Sequence, residues 1–268
     1  MNMLLSFIEW SVSPEIFHIG PFSIRWYGFL FALGFVVGYF IMGWIYNQEG
    51  RKKSEVEQLA VYMIFGTVIG ARLGHCLFYN PEFYLSNPIE ILKVWEGGLA
   101  SHGAAIGIII ALYLYAKKQK DISLLWILDR VVIVVALAGC FIRLGNLFNS
   151  EIIGQAAEVP WAFIFTAVDE LPRHPTQLYE SIAYFLIFLI LLFIYYKKKR
   201  NLSNGLLFGL FLVLVFTFRF FVEFVKENQS SFEAGMTLNM GQILSIPFVI
   251  IGFIFIIRSM RNKESKPK

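Results

Sequence analysis

Residues 131–146 read VVIVVALAGCFIRLGN, in which twelve uncharged residues lead directly into Arg143. A guanidinium within a bilayer costs about 2.5–3.5 kcal/mol on insertion scales. A chain therefore keeps such a group only where it faces protein, water or an anion. Arg25, Arg72 and Arg219 also lie within apolar runs or at their edges. Several such arginines in one chain are most simply explained by a bound anion.

The composition is that of a membrane protein. Of the 268 residues, 57% are hydrophobic and only 16% are charged, whereas a soluble domain is about one-quarter charged. Apolar runs of about 18–20 residues are typical of membrane-spanning helices. The sequence predicts an all-α fold with seven such helices in one domain covering residues 1–268: clear runs at 29–46, 181–196, 204–218 and 237–257, and more polar ones at 59–79, 99–115 and 124–146.

The basic residues predict the orientation, because Lys and Arg concentrate in cytoplasmic loops. The opposite loops have only Lys93, Arg173 and Lys226. We therefore expect an extracytoplasmic N-terminus, a cytoplasmic C-terminus and no nucleic-acid partner, since the net charge of +4 reflects cations at lipid headgroups. Fifteen basic residues lie on the predicted cytoplasmic side, in loops 47–58, 116–123 and 197–203 and in the C-terminal tail.

Three further features complete the predicted architecture. The first 20 residues have no basic start and no small-residue cleavage site, so we interpret them as an extracytoplasmic arm. Residues 149–177 are long for a loop and are predicted to form a small outer head. Cys76 and Cys140 lie inside predicted spans and match no ligand spacing, so we expect neither a metal nor a disulfide.

On this topology, the unusual polar groups of five helices fall near the extracytoplasmic face. Random scatter would divide them between the two ends of the helices. Their convergence predicts a site at that depth. The groups are Arg25 with Tyr27, Arg72 with His75, Ser101 with His102, Arg143 with Asn146, and Arg219 with Glu223.

The arginine pairs permit two interpretations. Arg143 and Asn146 share a helix face, and a planar fork of donors beside an amide suits a phosphodiester. The alternative is an Arg–Glu pair that fixes a loop to a helix, with Asn149 and Glu151 in that loop. Arg219 and Glu223 are four apart and could form a self-contained pair, but two guanidinium groups at one depth favour a bound anion.

His102 and Tyr27 are also open to two interpretations. Glycines surround His102 and allow tight helix packing. An imidazole can accept a proton near neutral pH and serve as a general base, or it can simply bond a carbonyl between helices. The Tyr27 hydroxyl could bind a lipid headgroup, or Tyr27 could belong to the aromatic belt at the membrane surface.

Taken together, the motifs identify a family. GCFIRLGNLFNSE at 139–151 resembles the signature of bacterial prolipoprotein diacylglyceryl transferases, and the resemblance extends over nearly the whole chain. Two departures are Val215, where relatives often have tyrosine, and Ala104, where they often have glycine. The other matching motifs are RWYG at 25–28, GARLG at 70–74, HG at 102–103, HPTQLYE at 174–180, FRF at 218–220 and MGQILS at 240–245.

The resemblance implies a reaction and its partners. The diacylglyceryl group of phosphatidylglycerol moves to the thiol of a lipobox cysteine in a prolipoprotein, a thioether forms, and glycerol phosphate leaves. It also implies a bacterial inner-membrane location, with the active site near the extracytoplasmic face, and no cofactor or metal. The implied catalytic residues are His102, Arg143 and Arg219. The lipid-binding residues are expected to be Arg143, Asn146, Tyr27, Arg219, Gly154, Glu151 and Arg72.

The mechanism predicted from these residues has two parts. Arg143 and Arg219 would hold the lipid phosphate and stabilise charge as the carbon–oxygen bond breaks. His102 would take the thiol proton or order the headgroup, since a free thiol is mostly protonated at neutral pH.

Three other classes of membrane protein fit less well. A lipid or anion transporter needs polar groups through the whole depth, whereas the inner halves of the spans are almost bare except for Asp129 and Arg130. A structural scaffold gives no reason for five polar groups at one level. A phospholipid acyltransferase should show an ester-cleaving nucleophile or a His–acid motif, which this sequence lacks.

Overall fold

The computed structural model describes residues 7–20, 22–228, 233 and 235–264. Helices dominate these residues, and all seven predicted apolar runs are helical. The helices are α1 Trp26–Gln48, α2 Lys53–Tyr79, α3 Pro81–Ser86, α4 Pro88–Ile91, α5 Ser101–Gln119, α6 Leu124–Phe148, α7 Thr176–Lys198, α8 Leu206–Val222 and α9 Met240–Glu264.

Among the described residues, six helices are long and apolar enough to cross a membrane. They are α1, α2, α6, α7, α8 and α9, so a multi-pass membrane protein is confirmed. The seventh predicted span, α5, is a helix of 19 residues but is not among them. Polar residues at both of its ends, from Ser101 and His102 to Lys117 and Lys118, lower its mean hydropathy.

Two small sheets depart from the all-α prediction. One contains β1 (Ile8–Trp10), β4 (Phe163–Phe165) and β5 (Pro172–Arg173), with β1 parallel to β4 and β4 antiparallel to β5. The other is an antiparallel pair of β2 (Glu15–Ile19) and β3 (Phe22–Arg25). These strands are two to five residues long, too short for the alternation that marks a strand in sequence.

The described residues divide into two compact units. The larger unit comprises Met1–Ile41 and Asp129–Lys268, and the smaller comprises Met42–Leu128. In the larger unit, the predicted head segment and the N-terminal arm form one sheet. The buried residues Leu147, Ile153, Phe163 and Phe165 pack beneath it, and the Trp10 indole donates a hydrogen bond to the Leu147 carbonyl (3.1 Å). This packing fixes the head to the end of α6.

Asp129, a polar exception within the predicted spans, stabilises the start of α8. Its carboxylate is fully buried and accepts hydrogen bonds from the backbone N–H groups of Gly205 (2.6 Å) and Phe208 (2.9 Å). The first N–H groups of a helix have no partner inside the helix. The residue before α8, Gly205, has no side chain to supply one, so Asp129 caps the helix from α6.

The smaller unit is organised by the contact between α2 and α5. Gly66, Gly70 and Gly74 of α2 face Gly103 and Gly107 of α5, and the two backbones touch. A Cβ atom on Gly74 would lie 2.6 Å from the Gly103 Cα. Small residues at such an interface allow membrane helices to pack closely, so the glycine-rich sequence around His102 sets the spacing of these helices.

Candidate functional site

Arg143 lies near the end of α6 and is held on two sides. Its Nη1 donates a hydrogen bond to the Asn146 Oδ1 (3.1 Å), and its Nε lies 3.1 Å from Oε2 of Glu180. Glu180 is fully buried in the first turns of α7. The amide on the same helix face is therefore present, whereas the acidic partner of Arg143 is Glu180 of α7 and not the loop residue Glu151.

Side-chain hydrogen bonds continue from Asn146 into the loop after α6. The buried Asn146 amide donates to the Glu151 Oε1 (2.7 Å), and the Asn149 amide donates to the same oxygen (3.3 Å). Ser150 and Ile152, on either side of Glu151, have φ angles of 53° and 57°. Positive φ is strained for a β-branched residue, and such strain often accumulates at functional sites.

Arg143 and Arg219 belong to one chain of ion pairs. Glu180 Oε2 lies 3.2 Å from the Lys226 Nζ, which lies 3.1 Å from the Glu223 Oε1. The same Glu223 oxygen lies 3.6 Å from the Arg219 Nε. The Arg219–Glu223 pair, one of the two interpretations of the sequence, is therefore present, and it is joined to Arg143 through two further residues.

The charges in this chain explain how it can be buried. Glu180, Lys226 and Glu223 are at most 7% exposed, and an isolated buried ion would cost several kcal/mol. Here each carboxylate lies between two cations. With Arg143 and Arg219 at the two ends, three cations face two carboxylates, so this row of ion pairs carries one net positive charge. The Arg219 side chain at one end of the row is 37% exposed.

Sequence reasoning did not assign Lys226 or Glu180 to the site. Lys226 follows α8 in a segment that reads as a loop, and Glu180 sits in a motif that also suits an ordinary helix start. Their meeting depends on how α6, α7 and α8 pack against one another. The available signal was the position of Glu180 within the HPTQLYE motif, and nothing local marked Lys226.

Gly154 lies where three backbone segments approach closely. Its N–H donates to the His174 carbonyl (3.0 Å), and it forms an antiparallel bridge with Lys226. A Cβ atom on Gly154 would lie 2.6 Å from the His174 Cβ and 2.8 Å from the Val225 carbonyl oxygen. A side chain at 154 would therefore displace the backbone that presents Lys226 to Glu180 and Glu223.

Tyr27 and Arg25 occupy different surroundings although they are two residues apart. The Tyr27 ring packs on Gly145, where an added Cβ would lie 2.8 Å from the ring, and Gly145 precedes Asn146. Tyr27 therefore lies beside the predicted phosphate-binding face. Arg25 is exposed at the end of β3 and lies 3.6 Å from Glu15.

Backbone carbonyls surround Arg72, which the sequence predicts as a lipid contact. This buried guanidinium, in the smaller unit, donates to the carbonyls of Ile91 (3.0 Å), Gly97 (2.6 Å), Gly98 (3.3 Å) and Glu90 (2.5 Å). It also lies over the Tyr84 ring. Four of its five N–H donors are therefore used by carbonyls of α4 and of the loop between α4 and α5. Only one Nη2 hydrogen remains for a lipid.

His102 begins α5, also in the smaller unit. Its ring meets the Phe78 ring edge-on at a centroid distance of 5.2 Å, and the Tyr79 ring lies 5.9 Å away. Tyr79 also stacks against His75, at a centroid distance of 5.5 Å. His102 is exposed, so a substrate can reach its imidazole. Within the described residues, no group of three His, Cys, Asp or Glu side chains could hold a metal ion.

Comparison with known proteins assigns the chain to a family. The family model for prolipoprotein diacylglyceryl transferase matches residues 14–258. Proteins named phosphatidylglycerol–prolipoprotein diacylglyceryl transferase align over nearly their whole length. The protein from Tolumonas auensis is 48% identical over 95% of this chain and 98% of its own. That from Chloroherpeton thalassium is 51% identical over 97% of each chain. That from Bacteroides fragilis is 47% identical over 99% of this chain and all of its own. The chain therefore belongs to the prolipoprotein diacylglyceryl transferase family, as its motifs predict.

Proposed function

We propose that this chain transfers the diacylglyceryl group of phosphatidylglycerol to the lipobox cysteine of a prolipoprotein. The names of the relatives state both substrates. The observation that carries the proposal is the ion-pair chain that links Arg143 to Arg219. These ion pairs hold both guanidinium groups in one network, which supports a shared site for one phosphate.

In this reaction, the cysteine sulfur attacks the diacylglyceryl carbon that carries the phosphate oxygen. A carbon–sulfur bond forms, the carbon–oxygen bond breaks, and the electron pair leaves with the phosphate as glycerol phosphate. Arg143 and Arg219 stabilise the negative charge that develops on the leaving oxygen. Fixed donors of this kind contribute about 10²–10³ in rate each. Glu180 aids catalysis by holding the Arg143 guanidinium plane in place.

His102 takes the proton of the attacking thiol. A free cysteine is mostly protonated at neutral pH and reacts as the thiolate, so a general base increases the rate. The exposure of the imidazole supports this role. No metal or other cofactor takes part in this scheme.

The other predicted lipid-binding residues divide into two groups. Asn146, Glu151 and Tyr27 lie beside Arg143 and contact the glycerol headgroup, since they supply amide, carboxylate and hydroxyl groups. Gly154 and Arg72 act through their neighbours. Gly154 lets the backbone present Lys226, and Arg72 holds the loop that leads to His102.

We place the protein in the bacterial inner membrane as a single catalytic domain of seven spans. The N-terminus is extracytoplasmic, the C-terminus is cytoplasmic, and the site lies near the extracytoplasmic face. The distribution of basic loops supports this orientation. The glycine contact of α5 with α2, itself long and apolar enough to span, supports α5 as the seventh span.

A transfer assay tests the function directly. The purified protein is mixed with phosphatidylglycerol and a lipobox peptide, and the peptide mass is measured. We expect a gain equal to one diacylglyceryl unit on the cysteine, and no gain on a matched peptide with serine in its place. A mass gain on the serine peptide, or of one acyl chain only, would contradict the proposal.

A further inference from the structure

An apolar groove runs along the contact between α2 and α5. Because the two glycine-rich backbones touch, the side chains on either side cannot cover the contact line. Phe65 and Leu73 of α2 stand along one side, and Ile106, Ile110 and Leu114 of α5 stand along the other. Apart from Tyr62, all its lining side chains are hydrocarbon or hydrogen, and the cavity volume is about 500 Å³.

The dimensions of the groove select its occupant. It extends from Val61 to Phe78 along α2, which is about 25 Å at the helical rise. An extended hydrocarbon chain of this length and about 4 Å thickness occupies roughly 300 Å³. A helix of 18 residues and about 10 Å diameter needs roughly 2,000 Å³. The groove can therefore enclose one acyl chain, whereas a helix could only lie over its mouth.

The outer end of the groove lies beside a residue of the proposed reaction. Phe78 and Gly103 line that end. Gly103 follows His102 in sequence, and the Phe78 ring contacts the His102 ring edge-on. A lipid whose acyl chain enters here therefore has its glycerol ester next to the imidazole.

We propose that this groove binds one acyl chain of the lipid substrate and that its depth sets which chain lengths are used efficiently. The inference rests on the proposed transfer from phosphatidylglycerol and adds a binding site for the hydrocarbon part of that substrate. Ile110 lies about 10 Å and Leu114 about 16 Å along α5 from Gly103. A decanoyl chain ends near the level of Ile110, and a palmitoyl chain passes both residues.

Tryptophan at two depths tests the proposal. Ile110→Trp should raise KM for dipalmitoyl and dimyristoyl phosphatidylglycerol severalfold, since the indole fills the groove at that depth and the ends of these chains lose their packing contacts. It should leave didecanoyl phosphatidylglycerol unaffected. Leu114→Trp should penalise only the dipalmitoyl lipid. Ile190→Trp is the matched control, because Ile190 is similarly exposed on α7 and does not line the groove.

The outcomes separate this inference from the function itself. A chain-length limit that moves with the position of the tryptophan supports the groove. Chain-length ratios equal to those of the wild type or of Ile190→Trp overturn it, and so does an equal loss for every lipid. A wild-type protein that transfers no diacylglyceryl group from any of these lipids overturns the proposed function as well.

Discussion

Glu180 Oε2 lies 3.1 Å from the Arg143 Nε and 3.2 Å from the Lys226 Nζ. One buried carboxylate on α7 therefore holds cations from α6 and from the segment after α8. Since each cation is also linked to another polar group, movement of Glu180 would disturb both. This relationship makes Glu180 the centre of the network that we associate with phosphate binding.

Replacing Glu180 with glutamine should destabilise the protein, although the two side chains have nearly the same shape. Glu180→Gln keeps the volume but leaves Arg143 and Lys226 without their shared anion, and breaking a buried ion pair costs about 3–5 kcal/mol. We expect a lower thermal midpoint in detergent. Glu180→Gln combined with Lys226→Met should recover part of the loss, and a double-mutant cycle measures the coupling. Strict additivity of the two changes would exclude a direct interaction.

Arg143→Lys should reduce turnover although it preserves charge. Lysine cannot reproduce the planar fork that contacts Asn146 and Glu180 together. We expect kcat/KM to fall by about 10²–10³, the effect of losing one fixed donor to a developing oxyanion. Arg258→Lys, at an exposed position near the end of α9, is the control. Normal turnover of the Arg143 variant would count against bidentate phosphate binding.

Gly154→Ala should impair both folding and transfer. The added methyl group would overlap the His174 backbone and approach the Val225 carbonyl at 2.8 Å. We expect a destabilisation of about 1–3 kcal/mol, as for other overpacked sites, and a loss of activity through Lys226. Gly43→Ala is the matched control, because nothing lies within 4 Å of a Cβ at that position of α1. If both variants have wild-type stability, the close approach is not needed.

His102→Gln tests the base role through its pH dependence. A protonated imidazole cannot accept the thiol proton, so a histidine base gives the rate a decline on the acid side. The glutamine variant should be slower and should lack that decline in kcat/KM. His18→Gln is the control, because His18 is an exposed histidine on β2. A His102 variant with full rate from mildly acidic to mildly basic pH would remove the residue from proton transfer.

The head should become less stable at acidic pH because its ion pair between Asp169 and Arg173 is lost there. Hydrogen bonds from Arg173 lower the pKa of this carboxyl, although partial desolvation opposes the shift. Because the folded-state pKa is below the unfolded one of about 3.9, the ion pair stabilises the fold above that pH and is lost as pH falls through the folded value. Asp169→Asn should therefore lower the thermal midpoint at neutral pH, and the difference from wild type should vanish by strongly acidic pH. A difference that is constant with pH would rule out the linkage.

The sequence predicted those parts of the fold that depend on local pattern. Long apolar runs located all seven long helices, with ends that differ from the predicted ones by at most seven residues. The helix spacing of Arg219 and Glu223 allowed their ion pair, although the shared depth of the arginines favoured a bound anion. The remaining features depend on tertiary contacts. The arm and the head contribute separate strands to one sheet, and Lys226 reaches Glu180 across elements far apart in sequence. From its depth alone, Arg72 was predicted to bind the lipid. The backbone carbonyls that accept its hydrogen bonds could not be predicted from the spacing of residues in the sequence.

Through α8, Asp129 influences the position of Arg219 at the other end of the helix. Its carboxylate fixes the first turn of the helix, and Arg219 lies about 20 Å further along the axis. A helix transmits axial displacement almost unchanged over such a distance. The position of the Arg219 guanidinium is thus determined partly by an acid at the opposite end of the helix, and a substitution of Asp129 would shift that guanidinium without altering it.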